Sequence, residues 1–300
     1  MEGVPEGDTV WLAGRRLHEA LAGRVLTRFD LRVPRHAVAD LTGRSVVEAV
    51  SRGKHLLIRV EGGVSLHTHF RMDGSWQLVR PGGRWRGPAH EVRAVLANVD
   101  WVAVGHRLHD ILLVPTAEEH RVVGHLGPDL LGPDWAPDRD PDRDPDGAAG
   151  RLAAHAGPDL GRALVAGFWV EEEAVRRLLG RPDRSIGEAL LDQRNAAGIG
   201  TVYRAEALFL RGVHPWTPVD QVADLPRLLR LARRLMIANR ERPGQVTTGD
   251  PGRGREHWVY GRAGEPCRRC GNAVRRGAQG PTAETRVIYW CPTCQPDRRP

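Results

Sequence analysis

Two residues near the amino end, Pro5 and Glu6, combine a potential nucleophile with a potential proton donor. If the residues before Pro5 are absent, its secondary amine can attack a carbonyl carbon and form an iminium, as a lysine nucleophile does. Glu6 would then lie beside the reacting centre as a general acid or base. Proline and glutamate near a terminus more often form the frayed entrance to a first helix. The catalytic interpretation of this pair is favoured only if other residues of the chain could serve the same reaction.

Lysine is almost absent from the chain, so its one occurrence indicates a chemical role. Of the 44 basic residues, Lys54 alone is a lysine. Arginine cannot give up its proton in a protein, whereas a lysine ammonium is compact and can. Lys54 follows Gly53 in a predicted turn that leads into a strand. A chemical or tight steric role is therefore favoured over the alternative, a lysine left by chance.

All four cysteines lie in two close pairs near the carboxyl end. The pattern Cys267-x2-Cys270, then 20 residues, then Cys291-x2-Cys294 is the spacing of a four-thiolate structural zinc site. The site is expected to be closed, because no further cysteine or histidine lies within the pairs. The expected cofactor is one structural Zn²⁺ ion rather than two disulfides, which are uncommon in cytosolic chains.

A pair of glycines precedes a predicted helix. Gly198 and Gly200, followed by Thr201, would let backbone N–H groups approach a phosphate oxygen at the positive end of the helix dipole. A simple turn between two helices is the alternative interpretation.

A predicted strand ends in the sequence His67-Thr-His-Phe-Arg-Met72-Asp-Gly74. His67 and His69 share one face of the strand, because side chains alternate along it. This spacing allows a metal pair, but solvated or hydrogen-bonded strand histidines are the more common arrangement. Met72 lies in the turn that follows, where a core methionine is not expected.

Charge and composition restrict the class of protein and its partners. The 300 residues predict about two domains, and no apolar run approaches the ~20 residues of a membrane span. The start resembles no signal peptide, so a cytoplasmic location is predicted.

Residues 201–300 hold 18 Arg against 9 acidic residues, whereas residues 1–200 hold 26 basic and 28 acidic residues. A basic carboxyl third favours a nucleic-acid partner, with a solvated basic surface as the alternative.

Hydrophobic periodicity predicts an α+β multidomain chain. Residues 8–22 predict a helix, and eight short runs between Val25 and Pro115 predict strands of a β-sandwich or flattened barrel. Helical spacing returns after Arg151, and residues 243–258 predict a mobile loop. The predicted boundaries are 1–133 for the amino-terminal sandwich domain, 134–150 for a Pro-rich linker, 151–258 for a helical domain and 259–300 for a β-hairpin with the cysteines.

Taken together, the motifs resemble those of the Fpg/Nei family of DNA glycosylases over almost the whole chain, and the Glu-Gly-Asp-Thr sequence after Pro5 resembles the endonuclease VIII (Nei) branch. In chain order, the matching segments are Pro5-Glu-Gly-Asp-Thr9, Gly53-Lys54, His69-Phe-Arg-Met72-Asp-Gly74, His125-Leu-Gly-Pro-Asp129, Leu191-Asp-Gln-x4-Gly198-Ile-Gly200 and Tyr260-Gly-Arg-x-Gly-x-Pro-Cys267. The resemblance implies a β-sandwich with a leading helix, a helix–two-turns–helix domain and a zinc β-hairpin finger, with DNA bound between domains.

The resemblance also implies a reaction, a bifunctional glycosylase/AP lyase for oxidised bases, pyrimidines more than purines. A damaged nucleotide would be flipped out of the duplex. The Pro5 amine would attack C1′ of the sugar, and β- then δ-elimination would cut the strand. Glu6 would protonate the sugar ring oxygen, and Lys54 would act in base removal and δ-elimination. The expected enzyme is a monomer acting near the nucleoid on double-stranded DNA with a damaged base or abasic site, with single-stranded or forked DNA left open.

The implied DNA contacts come from three parts of the chain. Met72 would fill the gap left by the flipped base, and the stretch Arg107-Leu-His-Asp110 would supply a second residue there. Thr201 stands where many family members have Asn, which predicts weaker phosphate binding because Thr lacks a bidentate amide. The implied DNA-binding residues are Met72, Arg107, Gly198, Gly200, Thr201 and Arg286.

Met1-Glu-Gly-Val4 precedes Pro5 and would make its nitrogen an amide, which has no nucleophilic lone pair. One explanation is that Val4 marks the true start and is read as a methionine that is later removed. The alternative is a catalytically silent homologue that binds damaged DNA or a DNA structure. A zinc-ribbon transcription or RNA factor is a third, more distant reading, against which the Pro-Glu pair and the lone lysine both count.

Overall fold

A computed structural model describes residues 5–135, 170–280 and 285–297 of the chain. Residues 136–150 of the predicted linker and the first four residues lie outside the described residues. The chain divides into two compact units, residues 1–125 with 240–243 and residues 126–239 with 244–300. Each unit is described by itself.

The first unit begins with helix α1 (Gly7–Leu21), one residue earlier than the periodicity predicted. Its buried face carries Val10, Leu17 and Leu21 at helical spacing. The helix ends where Ala22 takes an extended conformation and its N–H donates to the carbonyl of His18. This geometry leaves Pro5 and Glu6 at the amino end of a helix that is held by the core.

Two four-stranded antiparallel sheets form the sandwich, with strand orders β1-β6-β7-β5 and β2-β3-β4-β8. Each of the eight predicted strands is present, which confirms the amino-terminal part of the fold class. The strands are β1 (Arg28–Leu31), β2 (Val46–Arg52), β3 (His55–Val60), β4 (Val64–His69), β5 (Ser75–Val79), β6 (Val92–Ala97), β7 (Val102–His106) and β8 (Asp110–Pro115).

Alternation along β3 and β4 separates an apolar face from a polar one. Leu56, Ile58 and Leu66 are fully buried in the core against α1, and each such side chain contributes about 1.5–3 kcal/mol. The opposite face of the same strands is polar. There the guanidinium of Arg59 donates to Glu119, before the short helix α2 (His120–Val123), at 2.7 and 2.8 Å. The sheet therefore holds an ordered polar layer outside the sandwich core.

The second unit contains the helical domain and the hairpin that the sequence predicts. Helix α5 is its central element, since every residue from Thr201 to Phe209 is buried, and it ends at Gly212 in the left-handed conformation. The elements are α3 (residues 170–179), α4 (Ile186–Leu191), α5 (Thr201–Arg211), α6 (Leu225–Asn239), β9 (Arg275–Gln279) and β10 (Arg286–Trp290). None of the described helices has the length and apolar character needed to cross a membrane.

A buried carboxylate on α5 organises the segment that precedes the cysteines. Glu206 is fully buried, and its oxygens accept hydrogen bonds from the backbone N–H groups of Trp258, Val259 and Tyr260 at 2.8–2.9 Å. The hydroxyl of Thr247 donates to the same carboxylate. The predicted loop 243–258 contains no helix or strand. Glu206 bonds to it at Thr247 and at its last residue, Trp258.

Replacing Glu206 by Gln is expected to destabilise the second unit by about 3 kcal/mol, because a buried amide cannot accept from all four donors and places its own N–H₂ against them. Chemical denaturation followed by tryptophan fluorescence measures this change. Glu172→Gln, at an exposed position on α3, is the matched control and should change the free energy of unfolding by less than about 0.5 kcal/mol. Equal stability of the two variants would contradict the assigned role of Glu206.

Candidate functional site

Pro5 and Glu6 are both buried immediately before the first turn of α1. Glu6 is the N-cap residue, with φ −120° and ψ −174°, and its side chain makes no capping hydrogen bond to the helix. Its side chain is 0% exposed. The helix therefore does not use the carboxyl group as a cap, although capping is the common reason for an acidic residue at such a position. A buried carboxyl group next to a proline nitrogen, which is a secondary amine once residues 1–4 are absent, has the placement that proton transfer requires.

Lys54 lies in the two-residue turn between β2 and β3. Arg52 and His55 are paired across the two strands, so Gly53 and Lys54 form the tip of the hairpin. Gly53 has φ +56°, a left-handed value that favours glycine at the first position of a tight turn. Lys54 is half-buried at this tip.

Helix α1 packs against the hairpin that carries Lys54. A Cβ atom at Gly14 would lie 3.2 Å from the Leu56 side chain and 3.4 Å from the backbone nitrogen of Ser51. His18 of the same helix accepts a hydrogen bond from the backbone N–H of Ala49 at 3.3 Å. Close packing of this kind needs a glycine on the helix. It brings the elements that carry Pro5, Glu6 and Lys54 together in one unit.

Met72 and Arg107 lie in two adjacent turns. Met72 is 59% exposed at the tip of the turn after β4. A Cβ atom at Gly74, at the end of this turn, would lie 3.0 Å from the carbonyl oxygen of Arg107. The Arg107 guanidinium lies 3.7 Å from the carboxylate of Asp73. The two side chains that sequence analysis grouped as gap-filling candidates are thus carried by neighbouring turns.

Acidic residues hold these turns, and sequence analysis missed them. Glu91 accepts from the Arg107 guanidinium at 2.6 Å, and the guanidinium lowers the pKa of that carboxyl group. Asp73 also bonds to His109 at 2.8 Å. Asp110 pairs with Arg71 at 2.7 Å. A local signal could have suggested only the pairs close in sequence, since Glu91 is brought to Arg107 by the β6–β7 pairing.

Both turns contain a non-glycine residue in the left-handed backbone region. Arg71 has φ +54° and Arg107 has φ +48°, and they are the two such residues in the described part of the chain. This conformation costs of order 1 kcal/mol for a residue with a Cβ atom. Backbone strain of this kind is concentrated at ligand-contacting turns in proteins.

The strand histidines are hydrogen-bonded, as the more common alternative predicted. His67 is 4% exposed, and its Nε2 lies 2.8 Å from Nδ1 of His55. Among the described residues, the histidines belong to no group of three potential metal ligands. The strand pattern predicts that His67 and His69 share one face. It does not predict the hydrogen bond between His67 and His55.

The glycine pair before α5 forms a loop organised by Gln193. The Gln193 side chain accepts from the backbone N–H of Gly198 at 2.9 Å and donates to the carbonyls of Leu191 and Ile199 at 2.8 and 3.0 Å. Gly198 has φ +108°, and Gly200 is the N-cap of α5. The hydroxyl oxygen of Thr201 is buried without a hydrogen-bond partner in the described part of the chain. An unsatisfied hydroxyl at a helix amino end is suited to an anion.

The hairpin β9–β10 is anchored to α5 by a buried arginine. Arg204 is 0% exposed and donates to the carbonyl of Val287 at 2.5 Å and to the side chain of Gln279 at 3.2 Å. Arg286 is the first residue of β10, is exposed and pairs with Gln279 across the hairpin. The predicted phosphate contact therefore lies one residue from Val287, where the strand backbone is bonded to the helix.

The four cysteines converge as their spacing predicted. Their Sγ atoms all lie within 4.8 Å of one another, a geometry that can hold a metal ion. The Cys270 and Cys291 sulfurs are 3.4 Å apart, and those of Cys267 and Cys294 are 3.9 Å apart, well beyond a disulfide bond. The backbone N–H of Arg269 points to the Cys267 sulfur at 3.4 Å. Burial raises the pKa of the Cys291 thiol, so a bound cation would favour the thiolate form of that sulfur.

Two family models match the chain. The formamidopyrimidine-DNA glycosylase N-terminal domain matches residues 4–123, and the formamidopyrimidine-DNA glycosylase H2TH domain matches residues 169–236. The first match covers α1 and the sandwich, and the second covers α3 to most of α6.

Curated relatives match over nearly the whole chain. "Probable endonuclease 8 2" of Streptomyces coelicolor is 52% identical over 97% of this chain and 94% of the relative. "DNA-(apurinic or apyrimidinic site) lyase Nei2" of Mycolicibacterium smegmatis is 41% identical over 97% of this chain and 99% of the relative.

Solved structures share the fold. The formamidopyrimidine-DNA glycosylase of Lactococcus lactis, in its complex with DNA containing an AP site, superposes with a TM-score of 0.71 at 20% identity and covers 97% of this chain and 100% of that one. The β-sandwich with its leading helix, the helix–two-turns–helix domain and the cysteine-bearing hairpin are all confirmed. On the full-length identity to its relatives, the chain is a member of the formamidopyrimidine-DNA glycosylase and endonuclease 8 family.

Proposed function

We propose that the protein is a bifunctional DNA glycosylase and AP lyase of base-excision repair that removes oxidised bases, with pyrimidines favoured. The observation that carries the proposal is the fully buried Glu6 carboxyl group beside Pro5, which does not cap α1. Relatives of 41–52% identity over 97% of the chain are named endonuclease 8 and AP-site lyase. The substrate proposed is double-stranded DNA with a damaged base or an abasic site, and the site of action is the cytoplasm, at the nucleoid.

In the proposed reaction, the Pro5 nitrogen forms a bond to C1′ of the sugar while the bond from C1′ to the damaged base breaks. The base leaves with the electron pair of that bond and takes up the proton that the Pro5 nitrogen gives up. Glu6 donates a proton to the sugar ring oxygen, the ring opens, and an iminium links Pro5 to the sugar. Loss of a C2′ proton then breaks the C3′–oxygen bond, and a second elimination breaks the C5′–oxygen bond. Water releases the sugar fragment and the amine.

Lys54 is proposed to act beside this centre. Its ammonium group stands at a hairpin tip next to the helix that begins after Glu6. A lysine there can bind a phosphate as a point charge and exchange a proton, whereas the arginines of this chain can only bind. We assign it to base removal and to the second elimination.

We also propose the DNA contacts from the positions of the side chains in the structure. Met72, exposed in a strained turn, would occupy the space left by the extruded nucleotide, and Arg107 would enter the duplex beside it. The Gly198–Gly200–Thr201 segment would bind a backbone phosphate. The N–H of Gly198 is bonded to Gln193, so the support for this contact comes from the unsatisfied Thr201 hydroxyl. Arg286 would bind a second phosphate from the hairpin.

The metal proposed for Cys267, Cys270, Cys291 and Cys294 is a structural Zn²⁺ ion. A tetrahedral ion with Zn–S bonds of about 2.3 Å places its sulfurs about 3.8 Å apart. The sulfur pairs at 3.4 and 3.9 Å fit that spacing closely. When bound, the ion would fix the hairpin that presents Arg286.

Borohydride trapping on a duplex with one abasic site tests the proposal, using one chain that begins at Met1 and one that begins at Pro5. A covalent adduct is expected from the chain that begins at Pro5, because only there is the nitrogen an amine. The chain that begins at Met1 is the matched control and should form none.

Adducts from both chains would assign the nucleophile to Lys54 or indicate trimming of the longer chain, and intact mass separates these two outcomes. If neither chain gave an adduct but both bound the abasic duplex tightly, the catalytic proposal would be wrong. The protein would then be a catalytically silent homologue that binds damaged DNA.

A further inference from the structure

Four imidazole rings meet at the base of the hairpin tip that carries Lys54. The His55 ring centroid lies 5.0 Å from that of His67, 4.6 Å from that of His69 and 5.8 Å from that of His125. His55 is therefore the centre of the group, and it follows Lys54 directly in the chain. We call these four residues the imidazole cluster.

Strand register explains why the rings meet. His55 is paired with His69 across β3 and β4, and His67 lies two residues further along the same face. This face is the one opposite the sandwich core, where Arg59 pairs with Glu119. The cluster occupies the end of that polar layer closest to the turn.

Charged groups from four segments of the chain act on the histidines of the cluster. Lys54 in the hairpin turn and Arg71 in the turn after β4 both act on His69, and both lower its pKa. Asp110 on β8 and Glu119 before α2 act in the opposite direction on His67.

Despite these charges, the three strand histidines of the cluster are held in the neutral form. Burial lowers the pKa of His55 to about 2 and the pKa of both His67 and His69 to about 4, with the neighbouring imidazoles adding to the effect on His55. A neutral imidazole has one donor and one acceptor nitrogen, so His55 and His67 can share one proton across their 2.8 Å contact. His55, His67 and His69 thus form an uncharged, hydrogen-bonded group beside the turn.

A metal ion is a poor explanation for the cluster. In the described residues, the four cysteines form the one group that brings three or more ligand atoms within 4.8 Å of one another. The rings of the imidazole cluster are instead stacked or edge-to-face on His55.

We propose that His55, held by His67 and His69, is a positioning residue for Lys54, an inference that rests on the proposed role of that lysine in base removal and δ-elimination. The tip consists of Gly53 and Lys54 alone, so the paired residues at its two ends, Arg52 and His55, set the position of its backbone. The ring of His55 is fixed in the cluster, so the backbone that leads out of Lys54 is fixed with it. A misplacement of about 1 Å at a reacting group can cost on the order of 100-fold in rate.

A double-mutant cycle tests this inference, with single-turnover rates of base removal and of δ-elimination as the readouts. His55→Ala is expected to lower both rates about 30-fold at saturating DNA and to change the Kd for an uncleavable abasic duplex less than threefold. His55→Gln, which keeps a hydrogen-bonding side chain, is expected to recover most of that loss. His120→Gln, an exposed histidine on α2, is the matched control and should leave both rates unchanged.

The decisive comparison uses Lys54→Met. If His55 acts through Lys54, His55→Ala will have almost no further effect in the Lys54→Met background. Multiplicative losses would overturn the positioning role and leave the proposed function intact. A Lys54→Met enzyme as fast as the wild type would overturn the role of the lysine and, with it, this inference. The thermal unfolding of His55→Ala shows whether its lost rate reflects a lost fold.

Discussion

Replacement of Glu6 by Gln is expected to lower the rate of base excision about 1,000-fold while changing DNA affinity less than threefold. General acid–base catalysis contributes about 100- to 10,000-fold, and an amide of the same shape can neither give nor take the proton. The side chain is fully buried and does not cap α1, so the isosteric change should leave the helix in place. A large loss in rate with little loss in binding is the signature of a group used in the transition state.

The measurement is a single-turnover assay on a duplex with one oxidised pyrimidine, beside binding to a duplex with a tetrahydrofuran abasic analogue. Glu19→Gln provides the control, because Glu19 lies on the same helix with its side chain 62% exposed and paired to Arg15. Its rate should equal that of the wild type. A Glu6→Gln enzyme that excised bases at an undiminished rate would refute the assignment.

Loss of the metal is expected to have an effect of comparable size, by a different route. Cys267→Ser should abolish binding of the proposed zinc ion, unfold the hairpin and weaken DNA binding at least about 100-fold. Structural zinc contributes about 10–16 kcal/mol to the folding of small metal-bound modules, far more than β9 and β10 could supply alone. The effect should extend to Arg286, because the strand that presents it would no longer be formed.

Zinc content, near-UV circular dichroism and DNA binding report these changes together. Wild-type protein stripped with a chelator should lose the same signals and regain them when Zn²⁺ is returned, whereas Cys267→Ser should not recover. The aromatic cluster around Trp216 and Trp290, whose rings lie 4.9 Å apart, provides the spectroscopic probe. Zinc-free protein that kept full DNA affinity would show that the hairpin does not need its metal.

Local patterns predicted those parts of the molecule that short-range physics determines. The spacing of Cys267, Cys270, Cys291 and Cys294 predicted their convergence, because two turns of fixed geometry place each pair. Alternation from His55 to Val60 and from Ser75 to Val79 is typical of strands with one apolar face, and β3 and β5 have these bounds. Helical spacing runs from Ser185 to Gln193, but α4 ends earlier, at Leu191, because the Asp192 carboxylate accepts the N–H of Arg194 and Gln193 turns to bond the following loop.

Long-range partners could not be predicted in the same way. Glu91 reaches Arg107 only after β6 and β7 pair, and no spacing rule joins residues 16 apart across a hairpin. His125 joins the imidazole cluster from beyond β8, 70 residues after His55. The composition indicates a chemical role for the sole lysine, Lys54. It does not indicate the imidazole cluster next to it, because that cluster forms only when distant segments meet.

The left-handed arginines have a consequence for any effort to make this protein more heat-resistant. Glycine at position 71 or 107 would relieve about 1 kcal/mol of backbone energy. Each replacement would also delete an arginine from a turn that we assign to DNA. A screen that rewards survival at high temperature alone would therefore favour chains that repair poorly. At these two turns, heat resistance favours glycine, whereas the proposed DNA contacts favour arginine. This chain has arginine at both positions, Arg71 and Arg107.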